Sequence, residues 1–214
     1  MSERRLTEDT FYASAGEDSP YEYLGGAMVI REPASDQHED LFAFLLVLLR
    51  LFLDERGLGV VRGSRFPMRL DAAWSPEPDL LVVRQDRLHL MRPQRLEGAA
   101  DLVIEIVSPG SSRTDLGRKL PRYRHAKVPE IWLIDPAART VRHDALDATD
   151  QTDATDQTGA IDPIAAPEEP SYHSATYRAG RLDSAVLPGF WIDVSWLWRQ
   201  PRPAALSCLR QILG

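Results

Sequence analysis

The run DLVIEIV, residues 101–107, constrains the fold of this chain more than any other stretch. Side chains alternate between the two faces of an extended strand, so Leu102, Ile104 and Ile106 point one way and Val103, Glu105 and Val107 the other. Both faces are apolar apart from a single carboxylate. Such a segment belongs in the middle of a sheet covered on both sides rather than on a half-solvated edge. An isolated carboxylate there costs several kcal/mol unless a cation or a hydrogen-bond donor accompanies it. Glu105 therefore demands a partner, either a structural arginine or a functional cation.

The surrounding segments predict an α/β (α+β) layer with a central mixed β-sheet flanked by helices. Residues 21–30, YEYLGGAMVI, read as a strand pair turned at Gly25-Gly26. SDQHEDLFAFLLVLLRLFLDERG follows as a long helix, with Ser35 or Asp36 as N-cap and Gly57 as its stop. Its apolar run, Leu41 to Leu53, is broken by Arg50 and falls short of the roughly 20 residues a bilayer span needs, so it reads as a buried helix. LGVVRG, FPMRL and PDLLVV are short strands of a meander that leads to DLVIEIV. A second helix is expected between Thr114 and Ala126, kinked where Pro121 removes the bond to Gly117, or else beginning near Leu120. EIWLID is a further buried strand, SATYRAGRLDSAVLPGFWIDVSWLW reads as two closing strands, and AALSCLRQIL as a terminal helix.

At 214 residues one domain is the simplest organisation. Residues 1–20 read as a flexible lead-in, 21–200 as the domain and 201–214 as a short C-terminal helix. The tandem DATDQT repeat and the proline-rich IDPIAAPEEP read as a low-complexity loop insertion over 147–171, too polar to build a core. The N-terminus lacks the apolar region of a secretory signal, and a cytoplasmic protein without membrane association is expected. The one cysteine, Cys208, excludes an intrachain disulfide and a cysteine-cluster zinc site, and reads as a small apolar residue. The net charge of -7 argues against a nucleic-acid partner, but its distribution does not. Residues 56–127 carry fourteen Arg and Lys against eight Asp and Glu.

Asp79 opens the strand preceding DLVIEIV, and two carboxylates converging on adjacent strands form a hard-oxygen site suited to Mg²⁺ or Mn²⁺. Only two of the 25 basic residues are lysines, Lys119 and Lys127. Asp115, Lys119 and Tyr123 share one helix face, which either turns toward the carboxylates or stays at the surface with Lys119 paired to Asp115.

The Pro-Asp strand, DLVIEIVSPGS, DLGRKLPRYRHAKVPEIWLIDP and the closing SAVLPGFWIDVSWLW together resemble the Uma2 family of restriction-endonuclease-like proteins, within the PD-(D/E)XK nuclease superfamily. The resemblance covers residues 21–146 and 176–198. It implies a restriction-endonuclease-like core and metal-dependent hydrolysis of DNA phosphodiester bonds. Asp79, Glu105 and the backbone carbonyl of Ile106 would hold Mg²⁺ (or Mn²⁺), and Lys119 would orient the water or steady developing charge. The superfamily usually places that lysine two residues after the glutamate, where this chain has Val107. Glu22, His38, Glu39 and Tyr123 are candidate supporting residues. A solvated surface is the plainer reading of Glu22 and Glu39, a structural hydrogen bond that of His38, and core packing that of Tyr123. Arg113, Arg118, Arg122, Arg124 and Lys127 are candidate phosphate contacts. A homodimer is expected because cutting both strands is easier with two sites. The family's opening hairpin usually carries acids where this chain has Gly25 and Ala27, and this feeds an alternative: a catalytically weakened nuclease fold that binds DNA or a protein.

Overall fold

The computed structural model describes residues 7–14, 21–30, 33–63, 65–108, 113–151 and 170–214; of residues 8, 9, 14, 113–115 and 151 it describes the backbone alone. Most of the low-complexity stretch, 152–169, lies outside the described residues. No described helix is long and apolar enough to cross a membrane.

Within the segment read as a lead-in, Glu8–Ser14 form a short helix (α1) whose Phe11 is buried and stacks on Tyr23. Strands β1 (Tyr21–Leu24) and β2 (Ala27–Ile30) form the expected hairpin. Its turn residues, Gly25 and Gly26, take φ of 66° and 80°, the left-handed pair that a tight hairpin needs. Helix α2 (Asp36–Arg56) starts at Ser35, whose side chain accepts from the His38 N–H, and ends at Gly57 with φ 61°. Its buried Leu41, Phe44, Leu45, Leu48, Leu49, Phe52 and Leu53 recur at helical spacing along one face.

The meander divides in two. Strand β3 (Gly59–Gly63) pairs with β6 (Leu80–Arg84) in the central sheet, whereas FPMRL contributes the two-residue β4 (Met68–Arg69) to a separate small sheet. Strand β5 (Trp74–Ser75) pairs with β1. A 3-10 turn, Gln85–Leu90, leads to β7 (Met91–Arg92) and β8 (Arg95–Glu97), which complete the small sheet in the order β4-β8-β7. Strand β9 (Leu102–Ile106) is DLVIEIV, and α3 (Arg113–His125) crosses over to β10 (Glu130–Asp135), which runs parallel to β9. Helix α3 runs through Pro121 rather than starting near Leu120; the bond that Pro121 cannot donate would have gone to Gly117.

Strand β11 (Thr140–Leu146) was not anticipated from the sequence. It pairs with β10 and with β12 (Tyr172–Tyr177) beyond the short helix α4 (Ala148–Gln151). The closing segment thus forms three strands, β12 at the edge of the central sheet and the separate pair β13 (Arg181–Asp183) and β14 (Trp191–Asp193). A 3-10 turn, Val194–Trp198, and α5 (Ala205–Leu213) end the chain. The six-stranded mixed sheet has the order β12-β11-β10-β9-β6-β3. On one face Leu102, Ile104 and Ile106 join α2, α5 and the β13–β14 pair, with Cys208 buried among them. On the other, Val103, Leu81 and Ile131 join Tyr123 of α3 and Leu96 of the small sheet. Strand β9 is therefore covered on both sides.

Beside Val141 and Leu146, β11 brings polar groups to the core. Glu130 is fully buried, and its Oε1 accepts from Trp132 Nε1 at 2.8 Å and faces His143 Nε2 at 2.8 Å. Its Oε2 accepts from Ser184 Oγ at 2.6 Å and from the Val186 N–H at 3.2 Å. This carboxylate ties β10 and β11 to the loop after β13. Glu130→Gln replaces one acceptor by an NH₂ group facing those donors, and the variant is expected to lose about 3 kcal/mol of stability in urea unfolding with an unchanged slope. Wild-type stability would show that the network contributes little.

Candidate active site

Strands β6 and β9 are antiparallel, with Leu80 opposite Ile104, so the residue that opens β6 lies beside the residues that end β9. Asp79 is fixed there by two donors. The Ile106 N–H reaches its Oδ2 at 2.7 Å, and His38 Nε2, from the first turn of α2, stands 3.2 Å from the same oxygen. The hydrogen bond to Asp79 raises the His38 pKa against the opposing effect of burial. On its other side His38 Nδ1 lies 3.4 Å from Glu39 Oε1, but the Glu39 side chain is mostly exposed and remains outside the site.

Glu105 projects from the same face as Val103 toward α3. It is 5% exposed, and both of its neighbours come from α3: Tyr123 OH donates to Oε1 at 2.6 Å, and Lys119 Nζ lies 3.3 Å from that oxygen. The partner that its burial demanded is thus a lysine and a phenol rather than an arginine. Lys119 is buried as well, so this part of the helix face turns inward; the Asp115 side chain lies outside the described residues. The spacing of Lys119 from Tyr123, one helical turn, delivers both groups to one carboxylate.

A third acid completes the arrangement. Glu22, a candidate support whose plainer reading was a solvated hairpin residue, is only 6% exposed. Its two oxygens lie 2.9 and 3.1 Å from Lys119 Nζ, and its Oε2 accepts the Glu77 N–H at 3.2 Å. Glu77 is itself buried and went unnoticed in the sequence, although its position between Pro76 and Pro78, two residues before Asp79, was a signal. The hairpin is not solvated at Glu22 because α3 and the 76–79 segment cover it.

Burial acts first on the charges of this site. It pushes the Glu105 pKa up from 4.5 to about 7, helped by the nearby Asp79 and Glu22 carboxylates and opposed by Lys119 and the Tyr123 hydrogen bond. Burial also drives Tyr123 well above the ordinary phenol range, again with Glu105 adding to the effect. For Lys119 burial works toward the neutral amine, but Glu105 and Glu22 outweigh it and the ammonium is held above its usual range.

The donor set can be compared with what a divalent ion needs. Among the described residues there is no cluster of three or more His, Cys, Asp or Glu arranged to enclose a metal. Asp79 and Glu105 each use one oxygen for the hydrogen bonds that orient them, and their other oxygens, Oδ1 and Oε2, have no hydrogen-bond partner among the described residues. Two oriented carboxylates without an enclosing cage suit Mg²⁺, which retains several waters and shares its coordination with substrate phosphates. The residues fit such an ion and offer nothing soft that would select zinc.

The four basic candidates with described side chains do not form one surface. Arg118 is exposed, with its guanidinium beside the Gly25 turn. Arg122, one turn on, lies over the Trp74 ring at 4.7 Å and 3.7 Å from Asp71. Arg124 is turned elsewhere, donating to Asp144 at 2.6 Å and to Ser174 at 3.0 Å, and Lys127 donates to the Asp150 carbonyl. The side chain of Arg113 lies outside the described residues.

A raised Glu105 has a consequence for stability. Between pH 4.5 and about 7 the folded chain holds a proton on Glu105 that the unfolded chain has released, so this contribution is complete below pH 4.5 and lost as pH rises through about 7. In chelator-treated protein the wild type should therefore lose on the order of 3 kcal/mol relative to Glu105→Gln across that window. Parallel stability–pH curves for the two proteins would show that Glu105 is not strained.

Comparison with known proteins agrees with this architecture. A solved structure described as a putative nuclease belonging to DUF820, from Anabaena variabilis, superposes with a TM-score of 0.69 at 15% identity, covering 90% of this chain and 97% of its own. That likeness establishes the shared fold. No curated protein matches the chain. The Uma2 family model, described as "Putative restriction endonuclease", matches residues 8–160, and the chain belongs to that family.

Proposed function

We propose that this protein is a metal-dependent endonuclease that hydrolyses DNA phosphodiester bonds. The observation that carries the reading is the convergence of Asp79, Glu105 and Lys119 in one buried cluster where β6 begins beside the end of β9, with one oxygen of each carboxylate left over among the described residues. Asp79 and Glu105, with the Ile106 carbonyl, would hold Mg²⁺ or Mn²⁺. When bound, that ion supplies a nucleophile at neutral pH and charge stabilisation at the phosphate.

The chain's own residues do the rest. The Ile106 N–H and His38 fix the Asp79 carboxylate, and Tyr123 fixes Glu105, so neither has to be reoriented as the substrate arrives. Lys119 brings an ammonium, which Glu105 and Glu22 hold in its charged form, into this buried site, where it would orient the attacking water or stabilise charge that builds on the phosphate oxygens. Arg118 and Arg122, on the exposed side of α3 beside the hairpin turn, would contact backbone phosphates. Nothing in this set reads base identity, so the proposal concerns cleavage and not sequence preference.

One observation favours a second reading, a weakened nuclease fold that binds DNA or a protein. The hairpin carries Gly25 and Ala27 where the family usually has acids, and at Gly25 the positive φ of 66° favours glycine. Cleavage of plasmid DNA with Mg²⁺ or Mn²⁺ separates the two. The wild type should nick or linearise the plasmid, and Asp79→Ala should abolish this. Lys119→Arg should slow cleavage by about 100-fold, because a planar fork cannot replace a compact ammonium. An inactive wild type that still shifts DNA in a gel would favour the binding reading.

Metal should also stabilise the fold by binding the native state alone. At about 100 times its dissociation constant the gain is roughly 2.7 kcal/mol, visible as a higher thermal midpoint. Asp79→Ala should lose this response, and a wild-type midpoint indifferent to millimolar Mg²⁺ and Mn²⁺ would count against the site.

A further inference from the structure

Lys119 reaches the carboxylates on four flexible methylenes from a helix, and such a side chain holds no fixed position unless its ammonium is tethered. Two acids compete for it. Glu105 presents one oxygen at 3.3 Å, and that oxygen is already shared with Tyr123. Glu22 presents two, at 2.9 and 3.1 Å, and is itself anchored by the Glu77 N–H at 3.2 Å. The tighter grip comes from Glu22, which belongs to the hairpin and not to the central sheet.

We propose that Glu22 is the positioning residue of Lys119: it grips the ammonium with both carboxylate oxygens, is braced by the Glu77 backbone, and takes no part in holding the metal. The inference rests on the nuclease reading above and assigns the hairpin a task within it. A lysine paired to Glu105 alone would be left a buried, unpartnered cation whenever that carboxylate turned toward a metal ion. With Glu22 in place the ammonium keeps a partner throughout, and Glu105 is free to change its own. The peptide N–H of Glu77 matters because an unbraced Glu22 could follow the lysine rather than hold it. Since Glu77 lies two residues before Asp79, one segment fixes both the acid that opens β6 and the acid that holds the lysine.

Three measurements on the full chain test this with Glu22→Gln, Lys119→Met and the double variant. In chelator-treated protein, urea unfolding of the four members of the cycle should be non-additive, since each single change orphans the other group. In plasmid cleavage with Mn²⁺, Glu22→Gln should lower kcat at least tenfold with KM within threefold. The same change made on top of Lys119→Met should lower the residual rate by less than twofold, because its effect runs through the lysine. Mn²⁺ affinity by titration calorimetry should stay within threefold of wild type in Glu22→Gln and be lost in Asp79→Ala. Full-rate cleavage by Glu22→Gln would overturn the positioning role and leave the nuclease reading standing, as would additive losses of rate. A collapse of Mn²⁺ affinity in Glu22→Gln would make Glu22 a ligand and overturn the proposal from the other side. A wild type that cleaves nothing with either metal would sink the nuclease reading, and this one with it.

Discussion

The hydrogen bond from the Ile106 N–H to Asp79 fixes the geometry on which the site depends. It forms because β6 and β9 run antiparallel, so the start of one strand meets the end of the other. Pairing shifted by one residue would turn Glu105 to the α2 face and exchange its environment for leucine and phenylalanine. The register is therefore held by the core on both faces and by a polar contact at the strand ends. Because β9 is covered on both sides, Glu105 cannot escape to water, and α3 must deliver a cation and a donor to the same place. Lys119 and Tyr123 meet that demand one turn apart.

Much of this was legible in the sequence because it depends on local periodicity. Alternation in DLVIEIV, PDLLVV and EIWLID identified the covered strands, the spacing of leucine and phenylalanine identified α2, and Gly25-Gly26 identified the hairpin. Strand β11 escaped because Arg142, His143 and Asp144 interrupt any apolar pattern. They are tolerated because Glu130 receives His143, while Arg124 and Arg142 receive Asp144. Glu130 and Arg124 come from other elements, and no spacing rule along the strand reveals them. Glu22 was a candidate support, but its burial escaped for the same reason, since a glutamate in a short hairpin looks solvated until α3 and the 76–79 segment close over it. Periodicity reports which face is covered, but it is silent on which polar group is covered by a distant one.

The basic residues divide along similar lines. The excess of Arg between residues 56 and 127 suggested one basic face, but several of these side chains are occupied with structure. Arg87 donates to Asp101 and to the Ala99 carbonyl, and Arg124 to Asp144 and Ser174. These contacts orient loops and strand ends through the planar fork of the guanidinium. Composition counts such groups as available charge, although their donors are already used. Among the described residues the positive surface left near the site is narrower, with Arg118 and Arg122 at the turn of the hairpin.

Against this background the choice of lysine at position 119 is informative. The chain uses arginine for nearly every cation, 23 against two lysines, and does so wherever one carboxylate is to be met by a fork, as at Asp183. At position 119 the requirement differs, because one cation must face two carboxylates that approach from separate strands. An ammonium offers three donors distributed around a single atom, so it can touch both oxygens of Glu22 and one of Glu105 at once. A guanidinium would have to commit its plane to one of them, and its greater bulk would spread the acids apart. The site therefore needs the compact cation for geometric reasons that hold before any substrate is considered. Three buried acids against one buried lysine still leave a surplus of negative charge, the condition a divalent cation relieves.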